Sequence, residues 1–323
     1  MSKLPPSTQP PDAPSGAVVV VTGPTAAGKT SLAIEIATRF GGEIVNADSM
    51  QVYQFMDIGT AKPSIEERAR VAHHLFDIVP PDARYSAGRF AREARAVAGD
   101  VFARGRMVVL TGGTGLYIRS FLNGLIDTGP PDLELRERLE AEHAKAVQEG
   151  DPLRLHERLR EADPAGADRI HPNDARRTVR ALEIQEGSGR PTSSVRDDHG
   201  FDDQPFAHLH LAVDPGRDIV NARIDARCQQ MVDDGLLREV RSLHELGYGP
   251  ELRPLQAIGY RHMNGVVEGS DTLVNAVAAM QKDTRQFARR QRTWLRAVEE
   301  AEWVDPTDAD AIYHRVEHFL QSL

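Results

Sequence analysis

The sequence predicts an α/β fold, a mostly parallel sheet flanked by helices and interrupted by a helical insertion domain. Three features predict it. Ala17–Thr22 (AVVVVT) is an unbroken β-branched run of the kind buried on both faces of a sheet. Strand-like and helix-like segments then alternate as far as Leu122. After Pro130-Pro131 the texture changes: from Leu133 to about Glu186 the chain is charged, rich in arginine and poor in strand signals.

Taken in order, residues 1–16 (MSKLPPSTQPPDAPSG) lack a hydrophobic stretch, so they read as a disordered tail and not as a secretory signal. The first strand runs into a glycine loop and then a helix, with Leu32, Ile36 and Phe40 on one face. Glu43–Asn46 reads as a second strand and Leu75–Val79 as a third. Ala87–Arg104 is helical by composition, Met107–Thr111 is another buried strand, and Thr114–Leu122 a helix. His208–Val213 resumes the sheet after the punctuation of Gly187–Pro191. Long helices fill Asp218–Leu246 and the stretch from Thr272 to about Glu300. The core is therefore expected over 17–126 and 205–323, and the insertion over 127–204. There is no internal repeat.

The chain has 323 residues, 40% hydrophobic and 27% charged, the balance of an ordinary globular protein. Its single cysteine, Cys228, excludes an internal disulfide framework and a thiolate zinc site, and reads as a small buried apolar residue. That usage suits a cytoplasmic setting. No apolar run reaches the length of a membrane span. The net charge of −9 argues against a general nucleic-acid coating protein but not against an enzyme with a local basic surface. Arginines gather at Arg176, Arg177 and Arg180, and at Arg285, Arg289, Arg290, Arg292 and Arg296; taken alone, these are solvated helix faces. His73-His74 reads as a helix-end pair, since adjacent helical side chains diverge too far to share a metal. His208 and His210 share one strand face without a third ligand, and read as structural. Trp294 reads as a core or interface residue.

Gly23-Pro24-Thr25-Ala26-Ala27-Gly28-Lys29-Thr30 fits the pattern G-x-x-x-x-G-K-[ST], with a buried strand before it and a helix after it. The predicted core is therefore P-loop NTPase-like. Glycines let successive amides converge on phosphate oxygens, the helix adds its positive dipole end, Lys29 adds a charge, and Thr30 offers a hydroxyl to Mg²⁺. The loop does not say whose phosphate it holds. ATP and GTP are the default, but the strand Met107–Thr111 ends in Gly112-Gly113-Thr114-Gly115 without a Walker-B acid. A diphosphate lacking a nucleoside suits the loop as well. Asp48 comes just after the second strand, so it belongs at the carboxyl edge of the sheet, facing the same crevice. It is either a proton acceptor or metal-shell ligand there, or a turn-capping acid.

Asp48-Ser49-Met50-Gln51-Val52-Tyr53 and Asp57-Ile58-Gly59-Thr60-Ala61-Lys62-Pro63 carry more information. With Tyr85-Ser86-Ala87, Gly112–Tyr117, His171–Asp174, Arg180–Glu183, Gly259-Tyr260-Arg261 and Arg289–Arg296, they resemble, in order and over roughly residues 17 to 305, the tRNA dimethylallyltransferases of the bacterial MiaA type. The resemblance implies transfer of a dimethylallyl group from dimethylallyl diphosphate to N6 of the adenosine 3′-adjacent to the anticodon, in tRNAs reading codons that begin with U. It implies Mg²⁺ and no consumption of ATP. It assigns catalysis to Asp48 (general base), Thr114 and Arg223, and diphosphate contacts to Gly23–Thr30 with Thr30 at the metal. It assigns contacts with the tRNA anticodon stem-loop to Asp48, Ser49, Met50, Gln51, Thr114, Arg136, Arg176, Arg177, Thr178, Val179, Arg180, Gln256, Ala257, Ile258, Gly259, Tyr260 and Arg261. A monomer is expected, since one tRNA clamp needs no partner subunit.

Three alternatives stay open at this point. A P-loop small-molecule or nucleoside kinase explains the loop and Asp48 but leaves the arginine-bearing insertion without a task. An RNA-binding module could keep the loop as a switch. A cousin that prenylates free AMP is generally shorter.

Overall fold

The computed structural model describes residues 16–125, 132–194 and 205–323. Most of the expected proline-rich tail, the segment containing Pro130-Pro131 and the link before residue 205 lie outside the described residues. The described residues fall into two compact units, one within 1–122 and 204–323 and one within 123–203.

The larger unit is built on six parallel strands: β1 (Ala17–Thr22), β2 (Glu43–Asn46), β3 (His73–His74), β4 (Val108–Thr111), β5 (Ala207–Val213) and β6 (Ala301–Val304), in the order β3-β2-β4-β1-β5-β6. Every residue of β1 is buried. Val18 and Val20 point into one core, with Phe90, Phe121, Val220, Ile224 and Tyr260. Ala17, Val19 and Val21 point into the other, with Leu32, Ile36, Ile312 and Val316. The period-2 alternation of a strand thus feeds two separate hydrophobic layers, which is why the run is continuously apolar.

The register sets the functional edge. Val21 and Asn46 both lie beside Thr111, so β1, β2 and β4 end at the same level. The segments leaving these strands emerge together at the carboxyl edge of the sheet.

Two sequence expectations need correction. The third strand is His73–His74 and not Leu75–Val79. Leu75 and Asp77 have positive φ (63° and 55°), which ends the extended run; Leu75 packs into the core and Val79 keeps only a single bridge to Tyr53. For the same reason the two histidines are not a helix-end pair, because the preceding helix stops at Arg70 and they pair with Ile44 and Val45. In addition, β6 and a closing helix, Ala309–Gln321, lie beyond the last element read from the sequence.

The smaller unit has helices Leu133–Gln148, Arg154–Ala162, Pro164–Asp168 and Ala175–Ser188 around a core of Leu135, Leu139, Leu155, Leu159 and Leu182. Asp132 and Asp174 cap two of them, accepting from the N–H groups of Leu135 and Arg177. Among the described residues no helix is long and apolar enough to cross a membrane.

Candidate active site

The glycine loop joins β1 to the helix Lys29–Phe40. Gly23 has φ 152°, and a Cβ there would lie 2.3 Å from the carbonyl oxygen of Val213 at the end of β5. Gly28 sits at φ 100° as the N-cap. Both positions require glycine, one for close approach and one for a left-handed turn. The Lys29 ammonium folds back and donates to the Pro24 carbonyl at 2.8 Å. Burial pushes its pKa down to about 8; the charge of Arg227 acts in the same direction and Asp48 opposes it.

Asp48 is fixed two residues beyond β2. Its N–H donates to the Asn46 side chain at 2.9 Å, and its own Oδ1 accepts from Met50 N–H at 2.8 Å. The remaining oxygen, Oδ2, is the one near Gly113. Burial of the carboxyl raises its pKa above the ordinary value, against the pull of the Met50 N–H, Lys29, the Gln51 N–H and Arg227. Asp48, Lys29, Thr25, Thr30, Gln51, Gly112, Gly113 and Arg227 line one cleft, with His73, Phe76, Thr60 and Ala61 among its other walls. The phosphate loop and the acid therefore do share a cavity.

Thr114 caps the helix Gly115–Asn123 beside this acid. Its N–H donates to Ala47 O at 3.2 Å, and its hydroxyl accepts from Ser49 N–H at 2.9 Å. The next residue, Gly115, has no room for a Cβ, which would meet the Trp294 ring at 2.3 Å.

The Asp57–Pro63 heptad forms a tight loop held from two directions. The Glu239 carboxylate accepts from the N–H groups of Asp57, Ile58 and Gly59 at 3.0, 2.7 and 3.1 Å, and from the Tyr260 hydroxyl at 2.6 Å. Lys62, almost wholly buried, donates to Tyr53 O at 2.6 Å and pairs with Asp57 and Asp77. Gln51 reaches over to Thr60 O and Ala61 O, coupling the heptad to the Asp48 segment. A Cβ at Gly59 would lie 2.5 Å from the Tyr260 ring and 2.9 Å from Leu236. Gly59→Ala should therefore destabilise the fold by about 1–3 kcal/mol through overpacking, read as a lowered Tm in thermal unfolding.

The structure separates the other residues read from the sequence. Arg223 is exposed and donates to Ala27 O at 3.4 Å, so it touches the phosphate loop. One turn later, Arg227 lines the cleft itself and supplies charge to both Lys29 and Asp48. Sequence reading missed it; its spacing of four from Arg223, on one helix face, was the available signal. Of the residues that the resemblance places at the tRNA, Thr178, Val179 and Tyr260 are buried, the first two in the helical packing of the smaller unit and the third beneath the heptad. Arg136 forks onto the buried Glu183, which Arg180 also engages, while Arg176 and Arg177 are exposed. Gln256 is exposed, Ala257 and Ile258 are half-buried, Gly259 turns at φ 95°, and Arg261 pairs with Asp283.

The family model described as "IPP transferase" matches residues 51–298, and that described as "Isopentenyl transferase" matches 16–75. The chain belongs to the IPP transferase family. Its relatives agree over nearly the whole length. A protein of Desulfosudis oleivorans named tRNA dimethylallyltransferase is 47% identical over 305 residues, 94% of this chain and 96% of that one. The crystal structure of the tRNA isopentenylpyrophosphate transferase from Bacillus halodurans matches with a TM-score of 0.70 at 34% identity, covering 95% of this chain and 97% of that chain. A eukaryotic dimethylallyltransferase acting on tRNA matches with a TM-score of 0.77 at 29% identity, covering 92% of this chain and 75% of that chain. This IPP transferase family member thus has the α/β fold and prenyltransferase class of its relatives, and the kinase alternative is not favoured.

Proposed function

We propose that the chain is a tRNA dimethylallyltransferase, which moves the prenyl group of dimethylallyl diphosphate to N6 of the adenosine 3′-adjacent to the anticodon and releases diphosphate. One observation carries the reading: an acid with a raised pKa and a phosphate loop line the same cleft, with no Walker-B acid at the end of β4.

The groups in place suit this chemistry. The exocyclic amine of adenine is a weak nucleophile because its lone pair is delocalised into the ring. The allylic carbon is a strong electrophile because developing positive charge spreads over two carbons. As the N6–C bond forms, the C–O bond to diphosphate breaks and its electron pair leaves with the diphosphate. Asp48 Oδ2 takes the amine proton. Loop amides, Lys29 and Arg227 meet the negative charge on the leaving group, with Arg223 against the loop at Ala27. Thr114 and Ser49 hold the acid's segment in place.

Among the described residues no cluster of three or more acids, histidines or cysteines could hold a metal ion. Thr30 and Asp48 offer hard oxygens in the cleft, which fits an ion that keeps water and substrate phosphate among its ligands. When bound there, Mg²⁺ would neutralise diphosphate charge. The exposed Arg176 and Arg177 and the anticodon stem-loop are complementary in charge, and the reading takes the chain to act as a monomer. The target base must leave its stack to reach a cleft, and an anticodon loop makes that less costly than a duplex.

The test is incubation of unmodified tRNA with the protein, dimethylallyl diphosphate and Mg²⁺, and then mass analysis of the nucleosides. A prenylated adenosine, formed without ATP, is expected. ATP turnover with no modified nucleoside would return the kinase reading to favour.

A further inference from the structure

Gln291 stands near the C-terminal end of the long helix Leu273–Leu295 within the run of arginines, yet it is 7% exposed. Its Oε1 accepts from the N–H of Thr25 in the phosphate loop at 2.8 Å. Its Nε2 donates to the carbonyl of Gly113 at 3.1 Å. The two partners fix the orientation of the amide, because a flipped side chain would set NH₂ against N–H and C=O against C=O. Gly113 records the same fit from its side: a Cβ there would lie 2.3 Å from Gln291 Nε2.

The helix that presents Gln291 is itself pinned. Arg292 forks onto Asp214 with two contacts of 2.7 Å, at the end of β5. Trp294 covers Gly115. Beyond Gly113 the connection continues through Thr114, whose hydroxyl accepts from Ser49 N–H next to Asp48. A hydrogen-bonded path therefore runs from the phosphate loop through Gln291 to the segment carrying the acid. Each step is short, part-buried and made to backbone.

We propose that Gln291 is a positioning residue: it holds the phosphate loop at a fixed separation from the Gly113-Thr114 segment and so sets the distance between the prenyl donor and Asp48. This rests on the prenyl-transfer reading above. Gln291 need touch neither substrate. Its effect belongs to alignment, where small displacements of reacting groups act on rate more than on binding.

The experiment compares Gln291→Glu and Gln291→Met with the parent protein under single-turnover conditions, with tRNA, dimethylallyl diphosphate and Mg²⁺. The carboxylate variant keeps the acceptor for Thr25 and loses the donor to Gly113. Its rate should fall about 10²-fold, with Kd for tRNA within a few-fold of the parent. As pH falls and the new carboxyl gains a proton, it becomes a donor again, so the ratio of variant to parent rate should rise. The methionine variant, with neither function and no added charge, should show the rate loss without the pH-dependent recovery, and its Kd for inorganic diphosphate should stay within a few-fold of the parent. Parental rates in both variants would overturn the inference. So would a loss confined to Tm and folded fraction, or one carried in the methionine variant by weaker diphosphate binding, which would make Gln291 a packing or loop-shaping residue. If the parent protein itself forms no prenylated adenosine, the functional reading has failed and this inference falls with it.

Discussion

Asp48→Asn should reduce prenyl transfer about 10²–10⁴-fold while leaving tRNA binding within a few-fold. The substitution preserves shape, and the amide oxygen can still accept from Met50 N–H. What it removes is the ability to take a proton from N6. The raised pKa of Asp48 supports the assignment, because a base of ordinary carboxylate strength would drive the transfer less. Below its raised pKa Asp48 is neutral and cannot accept, so kcat/KM should climb with pH through a limb above the usual aspartate range. That limb should vanish in the variant. Measurement of single-turnover rates and tRNA Kd side by side decides the matter: loss of both together would make Asp48 a structural residue of the Asn46–Met50 turn.

The second large effect is expected at Lys29. Lys29→Ala removes a preorganised cation from the leaving diphosphate and should lower kcat about 10²–10³-fold. Its pH signature has the opposite sign to that of Asp48. A lysine pushed down to about 8 is neutral above that pH, whereas an ordinary one would still carry charge. In the parent protein, kcat/KM for the donor should therefore decline as pH rises through about 8, and the alanine variant should lack that decline. The parameter matters, because bound diphosphate stabilises the charged lysine and hides the limb in kcat. A basic limb that persists in Lys29→Ala would assign it to another group.

Much of the site was legible because its parts are local. The phosphate loop announces itself by a buried strand, two glycines and a helix within a few residues of one another. Asp48 could be placed because β2 is short and apolar enough to read, and the carboxyl end of that strand points the next residues into the crevice. The elements that escaped are those whose sequence carries little hydrophobic signal. His73–His74 is a two-residue strand of half-buried histidines, and β6 is an edge strand with two exposed residues. Both are defined by their neighbours' hydrogen bonds and not by their own composition. Arg227, Gln291 and Glu239 escaped for a related reason. A cation, an amide and an acid on solvated-looking helices gain their meaning only from the loops they meet, far away in the chain. Tyr260 adds a structural part that its segment does not announce: its ring fills the space under Gly59.

The anchorage of the heptad loop has a consequence for biosynthesis. Asp57 receives its carboxylate partner from Glu239, 182 residues further along. While the nascent chain is emerging, the early strands and the local bonds from Gln51 and Lys62 can begin to assemble, but this wall of the cleft lacks its Glu239 anchor until the helix Leu236–Glu245 has been translated. A non-local closure of that kind slows folding. Completion of the heptad's anchorage is thus a late event, deferred until after the intervening helical unit has left the ribosome, and a product terminated before Glu239 would carry the phosphate loop beside a heptad that lacks this anchor.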